Sequence, residues 1–105
     1  MPTVLVKRDW ELAWNLGWCY YKIHKFDKAE NGFKLALRLS PSNSREKAIS
    51  YWGLGMIFIK YQFYRKAEKY LSRAYQIKGG NYFIRIALAT AYLYQGKIEL
   101  YFKRP

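Results

Sequence analysis

Cys19 and His24 are the only residues of their kinds in the chain, so they are the sole source of a thiolate nucleophile and an imidazole base for acyl-transfer chemistry. Their spacing defeats the pairing. Five residues along a helix and into its turn put the two side chains on different sides. Each has a plainer reading: Cys19 as a small apolar packing residue, and His24 as a turn residue, since His enters left-handed backbone geometry more readily than most. A metal would need about three or four ligands, and one His, one Cys and scattered carboxylates do not converge into a set. Gly53-Leu54-Gly55 is no phosphate-binding loop, because no strand precedes it and it falls inside a helical stretch. No catalytic residue, metal or cofactor is therefore expected, and the chain does not read as an enzyme.

The sequence is organised by repetition. Leu16-Gly17, Tyr20, Ala29, Phe33 and Ala36 recur as Leu54-Gly55, Phe58, Ala67, Leu71 and Ala74 with every internal spacing kept. Leu88-Ala89 and Tyr92 begin a third copy. The first interval, Leu16 to Leu54, is 38 residues and the second, Leu54 to Leu88, is 34. Within residues 10–23 the residues Ala13, Leu16, Gly17, Tyr20 and Tyr21 fall at three- and four-residue intervals, which predicts a helix with one buried apolar stripe. Gly17, Ala29 and Ala36 are small residues inside helical stretches. Gly costs about 1 kcal/mol there relative to Ala, and close approach of a second helix is the expected compensation.

Asn15-Leu16-Gly17-x-x-Tyr20-Tyr21, Phe26-Asp27-x-Ala29, Phe33, Ala36 and Pro41 resemble the tetratricopeptide (TPR) pattern, and the second interval equals its period. The resemblance implies an all-α fold: antiparallel helical hairpins stacked into a right-handed solenoid, with five full helices and a short or distorted sixth. Helix signals place these roughly at 9–23, 26–39, 44–61, 64–77 and 81–95, with the sixth from about 98. Asn43, three residues before Glu46, predicts a capping box at the third helix. The four extra residues of the first interval then lengthen that helix ahead of Ala48. Pro41 and Gly79-Gly80 break the chain after the second and fourth helices. The expected organisation is one TPR domain over 1–105, with repeats near 10–43 and 48–81 and a partial one over 82–105. Tyr101 stands where the earlier repeats have Ala29 and Ala67, and the chain stops soon after it. The reading favoured by that irregular end is a piece of a longer polypeptide.

At 105 residues, 51% hydrophobic and 20% aromatic, the chain has enough apolar mass to bury a core. A single Cys excludes an internal disulfide and suits a cytoplasmic protein. The first residues lack the apolar core and cleavage site of a secretory signal. The uncharged run 48–59 is too short, and too rich in Ser and Gly, for a membrane span.

Binding is what remains. The TPR resemblance implies a concave wall lined by Glu11, Trp14, Asn15, Trp18, Tyr21 and Lys22, then Ile49, Trp52, Gly53, Met56, Ile59 and Lys60, then Phe83, Ile86, Ala87, Thr90, Leu93 and Tyr94. A wall this apolar, if open to water, calls for a peptide or helix with apolar anchors as its partner. Two chains covering each other's grooves as a homodimer would satisfy the same surface. The carboxylate clamp of chaperone-binding TPR proteins would fall on Trp14, Trp18, Gly53, Phe83 and Ala87, none of which can hold a carboxylate, so an acidic chaperone tail is not the expected ligand.

Charge defines a second surface. Nineteen Lys and Arg against seven Asp and Glu give a net charge of +12. Lys28, Lys34, Arg38, Arg65, Lys66, Lys69 and Arg73 fall on the second and fourth helices, which the resemblance puts on the convex side. They keep an apolar protein soluble, and they offer an alternative function in backbone-directed contact with nucleic acid or another polyanion. The third alternative is self-association, or docking to the rest of a longer polypeptide.

Overall fold

Five helices follow one another in the computed structural model, which describes residues 3–78 and 81–97, with side chains from 9 to 77 and 81 to 97. They are α1 (Thr3–Lys22), α2 (Phe26–Leu39), α3 (Arg45–Lys60), α4 (Tyr64–Lys78) and α5 (Tyr82–Tyr94). Consecutive helices pack against each other, and α1, α3 and α5 also touch along one side. This is the stacked-hairpin arrangement expected. The expected sixth helix, Tyr101 and the Gly79-Gly80 break lie outside the described residues.

The hairpins are closed by one turn used three times. His24, Gln62 and Gly96 occupy the same position in successive repeats and all have positive φ, 63°, 66° and 71°. After each, an N–H reaches back five residues to a helix carbonyl: Lys25 to Tyr20 (2.9 Å), Phe63 to Phe58 (2.8 Å) and Lys97 to Tyr92 (2.8 Å). That is the left-handed helix stop of the Schellman type, so the left-handed geometry expected of His24 is present.

Small residues set the seams. A Cβ on Gly32 would lie 2.9 Å from Gly17 Cα and 3.0 Å from Gly17 N, so α1 and α2 meet backbone to backbone. Gly17 faces Phe33, whose ring would be 2.6 Å from a Cβ there. One repeat later Gly55 accommodates Leu71 in the same way. Ala29, Ala36, Ala67 and Ala74 are buried along these seams. Phe33, Leu54 and Ile57 fill the space between the first hairpin and α3, and Leu71, Leu88, Ala91 and Tyr92 fill the space between the second hairpin and α5.

Three expectations need correcting. The helix start at α3 uses Ser44, not Asn43: Ser44 Oγ accepts from the Lys47 N–H at 3.0 Å, while Asn43 has φ 53°, a left-handed backbone unlike the extended geometry of a cap. Helix α3 has 16 residues and α5 has 13. Helix α1 starts at Thr3, well before residue 9, so it projects beyond the hairpin it forms with α2. Leu16 and Cys19 are exposed rather than packed, because among the described residues no helix covers the side of α1 that carries them.

One buried polar set ties the N-terminal hairpin to α3. Trp10 donates Nε1–H to Ser50 Oγ at 2.9 Å, Ser50 donates to Glu46 O at 2.8 Å, and Ser40 donates to Ala36 O at 2.7 Å. The two serine oxygens lie 3.2 Å apart.

Candidate functional site: an aromatic wall across α1, α3 and α5

Trp14 and Trp18 stand one turn apart on α1 and set their rings edge to face, 5.6 Å between centroids. Trp52 of α3 closes the triangle, 6.1 Å from Trp14 and 5.4 Å from Trp18. Beyond it Phe83 of α5 continues the row at 6.1 Å. The row has a buried floor. Phe33 packs 5.2 Å from Trp14 and 5.1 Å from Trp18, and Gly53 is flat enough for the Trp14 ring to rest on α3, since a Cβ there would sit 2.9 Å from it.

The tryptophans are half-buried: each uses one face to build the core and leaves part of the ring to solvent. Tyr21, Ile49, Met56, Ile59 and Thr90 are also half-buried, Gly53 and Ala87 are buried beneath them, and Glu11, Asn15, Lys22 and Lys60 are exposed. The α5 end is the open part, with Phe83 62%, Ile86 51% and Leu93 60% exposed. Tyr94 is exposed too, but it stacks on Tyr64 of α4 at 4.7 Å, so one of its faces is taken. At the other end Trp18, Tyr21 and Phe26 form a staircase of rings at 5.0 and 5.4 Å, capped by Lys60 Nζ 6.0 Å from Phe26. Burial pushes the Tyr21 phenol pKa up, so it stays neutral and donating through the physiological range.

A cavity of about 320 Å³ opens between the helices, walled by Trp14, Ile49, Trp52, Phe83 and Ile84. Arg45 and Asn81 supply its polar edge. Neither belongs to the wall implied by family resemblance, because both sit at helix starts where groove positions are not counted. Asn81 caps α5: its Oδ1 accepts from the Phe83 and Ile84 N–H groups at 2.8 and 3.1 Å. Next to the cavity the Trp52 indole N–H is buried and, among the described residues, has no acceptor. An unpaired buried donor of this kind costs about 1–3 kcal/mol.

The seven basic residues expected on α2 and α4 are all exposed. Lys34 pairs with Glu30 at 2.9 Å, which raises its pKa through the hydrogen bond and the adjacent charge. Lys28 and Lys66 lie over the rings of Tyr20 and Phe58 at 5.6 and 5.0 Å. Among the described residues no three His, Cys, Asp or Glu side chains gather as a metal site would require, and no helix is long and apolar enough to cross a membrane.

Residues 10–43 match the tetratricopeptide repeat family model. The chain is similar to BBSome complex member BBS4 of Bos taurus, 32% identical over 92 residues that make up 88% of this chain and 17% of that protein. It is likewise similar to BBSome complex member BBS4 of Xenopus tropicalis, 34% identical over 85 residues, 81% of this chain and 16% of that protein. The chain thus spans about a sixth of the length of the curated relatives it matches.

Proposed function

The chain is a member of the tetratricopeptide repeat family with about two and a half repeats, and from that premise we propose that it is a non-catalytic interaction module whose aromatic wall holds an apolar peptide or helix. The observation that carries this reading is the unbroken row Trp14, Trp18, Trp52, Phe83, partly open to solvent and opening further towards Ile86 and Leu93. Large, rigid rings with exposed faces are what binding hot spots favour. The cavity beside Trp52 accepts one bulky apolar side chain, and Arg45 at its edge favours a ligand with an acidic group next to that anchor. The relatives' names place them in a multiprotein complex, which fits a module that acts through protein partners. The exposed free thiol of Cys19 suits a reducing cytoplasm.

A second reading keeps the basic helices as the working surface, favoured by the exposure of all seven cations, of which Lys34 alone is ion-paired among the described residues. It predicts binding to polyanions that weakens steeply with salt.

One experiment separates the two. A displayed peptide library is selected on the chain, and the selected peptides are measured against the Phe83→Asp variant and across a salt series. The groove reading expects aromatic or aliphatic anchors in the peptides and at least a tenfold loss of affinity in the variant, about 1.4 kcal/mol, with helicity unchanged. Acidic peptides that ignore Phe83→Asp and dissociate with salt would overturn it.

A further inference from the structure

The three hairpin turns are built alike but loaded differently. At the tip, one residue after the left-handed position, the first and third turns carry Lys25 and Lys97, and the second carries Phe63. That ring is 57% exposed, although it leans on Tyr61 at 5.9 Å. Beside it a depression of about 470 Å³ is walled by Phe63, Tyr64, Arg65, Lys66 and Lys69, and its surface is almost wholly apolar. The wall is made of two rings and the methylene stems of three exposed cations, which keep their charged heads in water.

The charge around this depression is of one sign. Its counterpart at the first turn, about 350 Å³, is lined by Lys25, Lys28 and an acid, Asp27, which accepts from Tyr61 Oη at 2.6 Å. Arg65 stands where Asp27 does one repeat earlier. Glu68 is turned away to α5, where it accepts from Gln95 Nε2 at 2.8 Å and pairs with Lys97 at 3.5 Å. Lys66 Nζ is placed 5.0 Å from the Phe58 ring, and Arg65 and Lys69 have no partner among the described residues. Stacking of a further hairpin does not close such a site. Lys25, Asp27, Lys28 and Asn31, the counterparts of Phe63, Arg65, Lys66 and Lys69, are all exposed with the second hairpin packed beside them. The openness belongs to the edge of the solenoid that carries the turns, not to a place at either end of the stack.

We propose that this turn is a peripheral membrane contact: the Phe63 ring enters the acyl boundary of an anionic bilayer while Arg65, Lys66 and Lys69 meet the negative headgroups. Lys25 and Lys28, at the same end of the antiparallel helices, add to the attraction. The occupant follows from the two chemistries combined. A free phosphate gains nothing from an apolar wall. A nucleic-acid backbone asks for cations, and a Lys at the tip, as in the other two turns, would serve it better than a ring. An anionic amphiphile uses both. The site shares three cations with the polyanion reading and departs from it in requiring Phe63; it is independent of the aromatic wall.

The test is sedimentation of the full chain with phosphatidylcholine vesicles containing about 30% phosphatidylserine. The parent is compared with Phe63→Lys, Phe63→Trp and the triple variant Arg65→Glu, Lys66→Glu, Lys69→Glu, each checked for fold by circular dichroism. Phe63→Lys is decisive, because it adds a positive charge while removing the ring. The expected result is saturable binding by the parent, none to phosphatidylcholine alone, and retention in Phe63→Trp. Phe63→Lys and the triple variant should each lose about tenfold in affinity. Binding by Phe63→Lys as tight as the parent's overturns the inference and leaves a purely electrostatic surface. Failure of the parent to bind the phosphatidylserine vesicles overturns it as well. So does release of the bound chain by millimolar glycerophosphoserine, where a soluble headgroup suffices, or by random-sequence RNA at equal phosphate.

Discussion

Replacing Gly32 with Ala sets two effects of opposite sign against each other. Ala is the better helix former by about 1 kcal/mol, so an isolated α2 would gain from the change. In the folded chain the new methyl meets Gly17 Cα at 2.9 Å, Gly17 N at 3.0 Å and Ala13 O at 3.3 Å, all of them backbone atoms that cannot rotate away. Relief requires the whole of α1 to move, and with it Trp14 and Trp18, which rest on Phe33. Overpacking of this kind costs about 1–3 kcal/mol, and contact with backbone puts it at the upper end. The net expectation is a loss of about 2 kcal/mol. For a domain of this size that lowers Tm by about 10 °C. Urea and thermal unfolding followed by circular dichroism at the helical band would measure it. A Gly32→Ala variant more stable than the parent would refute the claim that glycine-mediated contact sets the α1–α2 seam and hence the tilt of the aromatic wall.

Other perturbations test separate parts of the account. Gln62→Gly relieves a left-handed residue with φ 66° and should stabilise by about 1 kcal/mol, read as a higher urea midpoint; Gln62→Ala should not. Ser50→Ala leaves the Trp10 indole N–H without its acceptor at a site 9% exposed, and should cost about 1–3 kcal/mol by chemical unfolding. Tyr61 is pushed up to about 12 by desolvation first and then by its hydrogen bond to Asp27. A phenol whose folded pKa lies above its unfolded value stabilises fully below the unfolded pKa and ceases to do so as pH rises through the folded one. Stability should therefore fall between about pH 10 and 12. The fall should be smaller in Tyr61→Phe, which would also lack the latest phase in a phenolate absorbance titration.

The hairpin register was readable from spacing alone because close helix contact admits few residue types: Gly17, Gly55, Ala29 and Ala67 mark the seams in sequence as they do in space. The turn at His24 was readable for a similar reason, since few side chains adopt a left-handed backbone. The start of α3 was misplaced by one residue because Asn43 and Ser44 are both good caps by composition, and only the positive φ of Asn43 decides between them. Gly32 escaped notice: a glycine one residue before Phe33 has no periodic signature of its own. The bare stripe of α1 was hidden for a deeper reason. Leu12, Leu16 and Ile23 have the same apolar character as the buried Leu54 and Leu88, and whether such a stripe is covered depends on what precedes it in space. The aromatic wall was half legible. Trp14, Trp18 and Trp52 were readable as aromatics at helical spacing, but their division between core and solvent follows from ring packing that spacing does not encode.

The four indole N–H signals of the chain offer the most direct test of the aromatic wall. In a proton–nitrogen correlation spectrum recorded while a peptide from the library selection is added, the Trp14, Trp18 and Trp52 signals should move together, with Trp52, which has no acceptor among the described residues, moving furthest. Trp10, buried and bonded to Ser50, should stay in place. Saturable binding that leaves all three wall tryptophans unmoved while the backbone signals of α2 and α4 shift would contradict the account and hand the binding surface to the basic helices.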